Sequence, residues 1–110
     1  MSNKPAFTGD ANLEPVVELP ALPVAVNRVT FSDGAVTHWH SHEGGQVIQV
    51  VSGVGRYQER GGEVRPLRSG DTVVTPPGVE HWHGAAGGGD MVHVAFSSGT
   101  STWGDAPQTE

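Results

Sequence analysis

The stretch from Gly34 to Gly53, GAVTHWHSHEGGQVIQVVSG, decides the architecture of this chain. Side chains alternate between the two faces of a β-strand, so His40 and His42 point the same way with two imidazoles close enough to share one cation. Gln46 follows four residues later and opens an apolar strand. The stretch therefore indicates one half of a metal site that is built on strands.

A second stretch, GDTVVTPPGVEHWHGA from Gly70 to Ala85, supplies the other half. Pro76 and Pro77 end one strand, and His81 brings a third imidazole onto the next. His83 follows on the same face as His81. A single spaced pair of histidines is common by chance, whereas two complete spaced motifs are not. We therefore expect the histidines of the two stretches to act together.

Composition restricts the class of protein. A chain of 110 residues forms one domain, and 16 Gly and 8 Pro spread along it favour short strands, which predicts an all-β fold. Twelve acidic against six basic residues, without a basic stripe, argue against nucleic-acid binding. The absence of Cys excludes disulfides and thiolate chemistry. No signal peptide or membrane-spanning stretch is visible, so we expect a cytoplasmic protein with no membrane partner.

The predicted elements fall into three parts: an N-terminal arm and edge strand (1–23), a barrel (24–98) and a tail that holds Trp103 (99–110). The polar residues up to Asn12 should form a loose arm, and Glu14 to Leu19 a short edge strand that ends at Pro20. Within the barrel, turns are predicted at Ser32-Asp33-Gly34, at Gly53 and Gly55, and at the hairpin Gly61-Gly62.

The last clear strand, Met91 to Ser98, has two different faces. Met91, His93 and Ala95 should face inward and line a partly polar interior, and the residues between them are apolar: Val92, Val94 and Phe96. An apolar outer face on so small a barrel needs a partner. We therefore expect a homodimer formed by sheet packing.

The two motifs resemble those of the cupins. The first cupin motif, G-x5-H-x-H-x3,4-E-x6-G, is matched with every spacing kept, and Gln stands in place of the usual Glu: Gly34, His40, His42, Gln46 and Gly53. The second, G-x5-P-x-G-x2-H-x3-N, is matched with Ala85 in place of the final Asn: Gly70, Pro76, Gly78 and His81. The resemblance implies a single-domain jelly-roll β-barrel.

The resemblance also implies a set of metal ligands, which are His40, His42, Gln46 and His81. Three imidazoles and an amide oxygen suit octahedral Mn(II), Fe(II), Co(II) or Ni(II), and Zn(II) is compatible with them. Gln brings no negative charge, unlike Glu, and does not favour high-valent metal. We hypothesise that it tilts the site from oxygen activation toward Lewis-acid chemistry.

Within the cupins, the local sequence looks like that of the small bacterial manganese-dependent hydroxynitrile lyases. The matching segments are Trp39–His42, Gly45-Gln46, Pro76–Gly78, His81–Ala85 and His93. That resemblance implies Mn(II), with His83 and His93 as active-site residues, and a reversible cleavage of a cyanohydrin to an aldehyde and cyanide. A neutral imidazole beside a dication is also a suitable general base, which favours His83 first and His93 second. His38 is better explained as a structural residue.

Several assignments remain open at this point. The apolar wall of the pocket could include Ile48 and Val50, together with Val29 or Asn27, and each of these is equally well explained as core. Trp39 and Trp82 alternate away from the pocket and predict packing or interface roles. The same motifs would serve an Fe- or Mn-dependent dioxygenase, an oxidative carbon–carbon cleaving enzyme, an isomerase, a cyclase or a non-catalytic ligand-binding cupin.

Overall fold

The computed structural model describes residues 6–17 and 24–109. Nine β-strands and no helix occur in these ranges: Phe7–Val17 (β1), Val24–Thr37 (β2), His40–His42 (β3), Gln46–Glu59 (β4), Arg65–Arg68 (β5), Thr72–Thr75 (β6), His81–Ala85 (β7), Met91–Ser98 (β8) and Ser101–Trp103 (β9). The all-β prediction is confirmed. These residues contain no helix long and apolar enough to cross a membrane, and the cytoplasmic location stays a prediction.

Four strands close the barrel. They pair antiparallel in the order β2, β8, β4, β7, and the ring returns to β2 through the pairing of Val36 with Gly84. β1 lies outside β2, β3 and β9 extend from β7, and β5 and β6 pair with β4. A closed barrel leaves the four ring strands without open edges and encloses an interior that the inward-facing side chains fill.

β4 is longer than the sequence predicts. The expected reversal at Gly53 and Gly55 is wrong, because one strand runs from Gln46 to Glu59. Its register with β8 shifts between Val50 and Ser52, and Gly53 takes a φ of +82°. The first half of β4 pairs with β8 and β6, and the second half pairs with β7 and β5. A bulge therefore bends the strand around the barrel instead of turning it back.

β2 shows the same behaviour. The predicted turn at Ser32-Asp33-Gly34 is wrong, because the strand continues to Thr37. Asp33 and Gly34 both have positive φ, at 51° and 75°, and the register with β1 is irregular beside them. Two successive left-handed residues can make a hairpin turn or a bulge, and here they make a bulge. The hairpin predicted at Gly61-Gly62 is confirmed by the pairing of β4 with β5.

The chain on both sides of the barrel is more ordered than predicted. The loose arm is wrong from Phe7 onward, because β1 pairs with β2 from Phe7 opposite Thr37. Phe7 and Ala11 pack against the core. The tail contains β9, which pairs with β3. The predicted ends of the edge strand at Leu19 and Pro20 lie outside the described residues, and the proposed domain boundaries stay predictions.

The alternation predicted for β8 is confirmed. Met91, His93 and Ala95 are buried, and Phe96 on the outer face is 39% exposed. The inward-facing apolar side chains of the barrel form one core cluster around Phe31, Ile48 and Tyr57, each of which is fully buried. The apolar outer face of β8 is consistent with the predicted homodimer, which no contact in the structure tests.

Barrel closure at Gly84 generates a stability prediction. A Cβ on Gly84 would meet the Ala35 carbonyl oxygen and lie 2.5 Å from the Val36 Cα, so Gly84→Ala must force β7 away from β2. We expect a loss of about 1–3 kcal/mol in the free energy of unfolding, measured by urea denaturation. Gly87→Ala is the matched control, because a Cβ there meets nothing within 4 Å. Equal stability of the two variants would contradict this account of closure.

Candidate metal centre

Three strands carry the histidines of the site into the barrel. His40 on β3 lies opposite His81 on β7, and His93 on β8 lies opposite Val50 on β4. The backbone N–H of Gly78 donates to the carbonyl oxygen of His42 at 2.9 Å, which ties the second motif directly to the first. All the imidazoles that these strands carry are at most 4% exposed: His40, His42, His81, His83 and His93.

The imidazoles converge on one point. The ring centre of His40 lies 4.9 Å from that of His42, 4.2 Å from that of His81 and 5.1 Å from that of His83. One ring nitrogen from each of His40, His81 and His83 lies within 4.8 Å of the others, which is a separation that a single metal ion can span. The structure thus brings His83 as close to this point as the predicted ligands, and the full ligand set stays a prediction.

Backbone carbonyl groups orient two of these rings. Nδ1 of His40 lies 2.8 Å from the carbonyl oxygen of His38, and Nδ1 of His81 lies 3.0 Å from that of Val79. A carbonyl oxygen only accepts hydrogen bonds, so the neutral imidazole of His40 carries its hydrogen on Nδ1 and keeps the Nε2 lone pair that binds metal. His81 has an oxygen acceptor at each ring nitrogen, because Oε1 of Gln46 lies 2.8 Å from its Nε2.

Gln46 adds an oxygen to the same point. Its Nε2 donates to Ser97 Oγ at 2.9 Å, and its Oε1 lies 2.8 Å from Nε2 of His81. A neutral imidazole has one hydrogen, so His81 can donate to Val79 or to Gln46 but leaves a lone pair facing an oxygen at its other nitrogen. A cation coordinated by Nε2 of His81 and Oε1 of Gln46 would leave the hydrogen for Val79 and remove this repulsive contact.

Two further nitrogens support the same interpretation. Nε2 of His42 and Nε2 of His83 are buried, and neither has a hydrogen-bond partner. A buried polar atom without a hydrogen-bond partner costs free energy in folding. Coordination of an ion by such an atom is one way in which this cost is avoided. The residues therefore fit a divalent cation, for which imidazole nitrogen and amide oxygen are suitable donors.

Burial keeps these imidazoles uncharged. Removal from water, together with the neighbouring His81, lowers the pKa of His40 to about 2 and that of His42 to about 4. Burial likewise lowers the pKa of His81, and it lowers that of His83 well below its usual range. Metal ligands must be neutral imidazoles, so at neutral pH these rings need no deprotonation to bind an ion.

His83 and His93 form a second hydrogen-bonded unit beside the cluster. Nε2 of His93 lies 3.0 Å from Nδ1 of His83, and burial lowers the pKa of His93 to about 4. Phe31 packs against both rings, with ring centres 6.2 Å from His83 and 5.1 Å from His93. Each nitrogen of this contact can donate or accept, so the pair can move a proton between its two rings.

His38 lies apart from this cluster. Its Nε2 lies 2.7 Å from Thr8 Oγ1 on β1, and its backbone N–H donates to the carbonyl oxygen of Ala6. Its side chain links β1 to the start of β3, as expected of a structural residue. Trp39 and Trp82 pack together with Val36 in a separate small cluster, which agrees with the packing role predicted for them.

A cavity of about 150 Å³ opens beside the histidines. Its polar lining includes His40, His42, Gln46, His83 and His93. The wall includes Asn27 and Val29 but not Ile48 and Val50, for which the alternative of core packing holds. Both residues face inward and pack in the core instead. Alternation identifies the face on which a side chain lies and not its height in the barrel.

The aromatic part of the wall was not predicted from the sequence. Phe7 of β1 and Trp103 of β9 both line the cavity, with ring centres 6.4 Å apart, and Leu13 of β1 joins them. The apolar residues Phe7, Ala11 and Leu13 lie at even spacings and could have predicted a strand with one apolar face. This pattern is weakened by Gly9, where the register of β1 with β2 shifts.

The barrel and its histidines define a cupin. Residues 27–96 match the family model described as "Cupin domain", and the chain belongs to this family. The chain is 45% identical to the "(R)-mandelonitrile lyase" of Granulicella tundricola over 82% of its own length and 70% of that protein.

Two solved structures extend the comparison. A cupin-like protein from Thermotoga maritima has 43% identity and a TM-score of 0.88, over 92% of this chain and 80% of that one. KdgF from Halomonas sp. has 30% identity and a TM-score of 0.67, over 82% of this chain and 80% of that one.

The converging nitrogens predict a metal stoichiometry. We expect one divalent ion per chain by elemental analysis after reconstitution. His40→Ala or His81→Ala should lower the affinity for the ion by more than about 100-fold, which is the upper range for loss of a residue that only supports a metal ligand. His38→Ala is the control and should bind like the wild type, because only its backbone oxygen contacts His40. Comparing His42→Ala with His83→Ala will identify the remaining histidine ligand. Full binding by His40→Ala and His81→Ala would exclude the site.

The lowered pKa values predict loss of stability in acid. Below pH 6.5 the unfolded chain protonates these histidines and the metal-free folded chain does not, so unfolding takes up protons and stability falls as pH falls. The fall should begin near pH 6.5 and continue toward about 4, where His42 and His93 become protonated in the folded chain as well. Urea denaturation of metal-free protein between pH 7.5 and 5 measures it.

The matched variant for this measurement is His93→Gln. It removes one titrating group and should make the pH dependence shallower by up to about one proton per unfolding event. An unfolding free energy that does not change between pH 7.5 and 5 would show that the buried imidazoles keep ordinary pKa values.

Proposed function

We propose that this protein is a metal-dependent lyase that cleaves and forms cyanohydrins. The observation that carries the proposal is the buried His83–His93 pair beside the converging metal donors, which supplies a proton acceptor where a hydroxyl group would lie. The 45% identity to a protein named (R)-mandelonitrile lyase supports the same reaction class. Our proposal for the ligand set is His40, His42, Gln46 and His81, and for the metal Mn(II), with Fe(II), Co(II), Ni(II) and Zn(II) as alternatives.

When bound, a divalent ion supplies Lewis-acid chemistry at a hydroxyl or carbonyl oxygen. The neutral amide of Gln46 adds no negative charge to the centre, which suits this chemistry. Burial keeps the His83 imidazole neutral at neutral pH, and in the tautomer that donates its Nδ1 hydrogen to Nε2 of His93 its Nε2 is free to accept a proton. His83 Nδ1 contacts Nε2 of His93, which positions the His83 ring and can share the added proton.

The proposed cleavage breaks one carbon–carbon bond and moves one proton. His83 Nε2 takes the hydroxyl proton of the cyanohydrin, the oxygen electrons form the aldehyde carbonyl, and the bond between that carbon and the nitrile carbon breaks. Cyanide leaves with the electron pair of that bond and receives the proton held by the His83–His93 pair, which gives HCN. Addition of HCN to the aldehyde reverses each step.

The cavity suits an aryl substituent on the reacting carbon. A cavity of about 150 Å³ is the size that holds one benzene ring in an engineered apolar site. Phe7, Leu13 and Trp103 supply apolar surface on the cavity wall, against which the ring would pack. An aromatic cyanohydrin is therefore the first substrate to test.

The test is mandelonitrile cleavage under argon, with Mn(II) present or removed by a chelator. We expect benzaldehyde release only with the metal, and a loss of about 10²- to 10⁴-fold in kcat for His83→Ala, the usual contribution of a general base. His38→Ala should retain full activity. Metal content of His83→Ala must be measured in parallel, because loss of the ion would assign His83 to the ligands instead.

Two results would redirect the assignment. Metal-dependent turnover that consumes O₂ would identify the dioxygenase or oxidative cleaving enzyme considered from the sequence. Stoichiometric metal with no turnover of aryl or alkyl cyanohydrins, in either direction, would leave a ligand-binding cupin. Activity that persists in metal-free protein would contradict the proposed chemistry.

A further inference from the structure

The short strand β9 holds the strand that carries two of the candidate ligands. β3 has only three residues, and β7 pairs with it at one position, His40 opposite His81. β9 pairs with all three residues of β3: Trp103 with His40, Thr102 with Ser41 and Ser101 with His42. β9 lies beyond residues 27–96 of the cupin domain match, so the motifs of the family do not include it.

Both flanks of β9 are fixed by backbone hydrogen bonds. On one side, the N–H of Glu43 donates to the carbonyl oxygen of Thr100 at 2.9 Å. On the other, the N–H of Gly104 donates to the carbonyl oxygen of Trp39, and the N–H of Trp39 donates to that of Asp105. The side chains of β9 are therefore held in register with the histidines of β3.

Ser101 has a particular relation to His42. Its Oγ lies 2.7 Å from Nδ1 of His42, where His40 and His81 each have a carbonyl oxygen. A hydroxyl group can accept or donate, so Ser101 does not by itself dictate which nitrogen of His42 carries the hydrogen. Ser101 is exposed, and its own hydrogen can point to water. The hydroxyl oxygen is then free to accept from Nδ1 of His42 and leaves the Nε2 lone pair toward the site.

Trp103 acts on the other histidine of β3. Its ring stacks on that of His40, with ring centres 4.4 Å apart and planes 25° apart. The indole covers one face of the imidazole and limits rotation of that ring, while the Nδ1 hydrogen bond to His38 fixes its edge. Phe7 packs against Trp103 in turn, with ring centres 6.4 Å apart.

We propose that β9 is a positioning element of the metal site, in which Ser101 holds His42 as the tautomer that binds metal and Trp103 holds the ring plane of His40. The inference rests on the metal centre of the proposed function and adds the residues that set its affinity. Ser101 and Trp103 are positioning residues, because each acts through a histidine.

The first test is the tautomer of His42 in the metal-free protein, measured by nitrogen NMR of the imidazole. We expect the hydrogen on Nδ1 in the wild type and in Ser101→Thr, which keeps the hydroxyl group. In Ser101→Ala the form with the hydrogen on Nε2 should grow. A wild-type His42 with its hydrogen on Nε2 would overturn the role of Ser101 without any variant.

The second test is Co(II) affinity, followed by its visible absorption and by competition with a chelator of known affinity. Ser101→Ala should weaken binding by about 10- to 100-fold, as loss of an outer hydrogen bond does, and Ser101→Thr should restore it. Trp103→Ala should weaken binding about 10-fold and Trp103→Phe should restore it in part. Thr102→Ala is the matched control, because Thr102 is exposed between them on the same strand and should leave affinity unchanged.

The outcomes separate this inference from the proposed function. Failure of the wild type to bind Co(II) or Mn(II) overturns both. Normal binding by the wild type, Ser101→Ala and Trp103→Ala overturns only the role of β9. An equal loss in Thr102→Ala also overturns it, since that result assigns the effect to the strand and not to the two side chains.

Discussion

The structure depends on one constraint, which is that neutral imidazoles are buried together and each must find a partner for both of its nitrogens. Burial removes the charged form, so every ring brings one N–H and one lone pair. The carbonyl oxygen of His38 takes the hydrogen of His40, whereas the one hydrogen of His81 can satisfy only Val79 or Gln46. One lone pair of His81 is consequently left facing an oxygen. The barrel holds this arrangement in place, and a bound cation would relieve it.

The barrel meets this constraint by bending its strands. β2 and β4 each run for 14 residues and change pairing partners along their length. Each of them therefore contributes to two parts of the barrel wall. Positive φ at Gly34 and Gly53 makes these bends possible. Closure at Gly84 then sets β7 against β2, and the next residues back along β7 are the histidines. The geometry of the site is thus a product of backbone features that lie outside it.

The sequence alone was sufficient to predict the features of the site that depend on the spacing of residues along a strand. Alternation along a strand places His40 with His42 and His81 with His83, and the two motifs led to the family and to the amide of Gln46 beside the histidines. It was insufficient where one local pattern has two structural outcomes. Turns were predicted at Ser32-Asp33-Gly34 and at Gly53, but both segments form bulges. A turn and a bulge have similar local sequences here, and only the pairing with β1 and β8 distinguishes them. Ile48 and Val50 lie on the predicted face but at a different depth, and β9 is too short to be recognised without its partner β3.

The pairing of β3 with β9 has a consequence for the order of events during synthesis. His40 and Trp103 are neighbours in space but are separated by most of the barrel along the chain. β3 is therefore synthesised well before its pairing partner β9, and contacts of such long sequence separation form slowly. If β9 positions the metal site as proposed, a folding intermediate in which β9 has not yet paired with β3 would hold an ion only loosely. Firm retention of the metal would then begin with the pairing of these two strands.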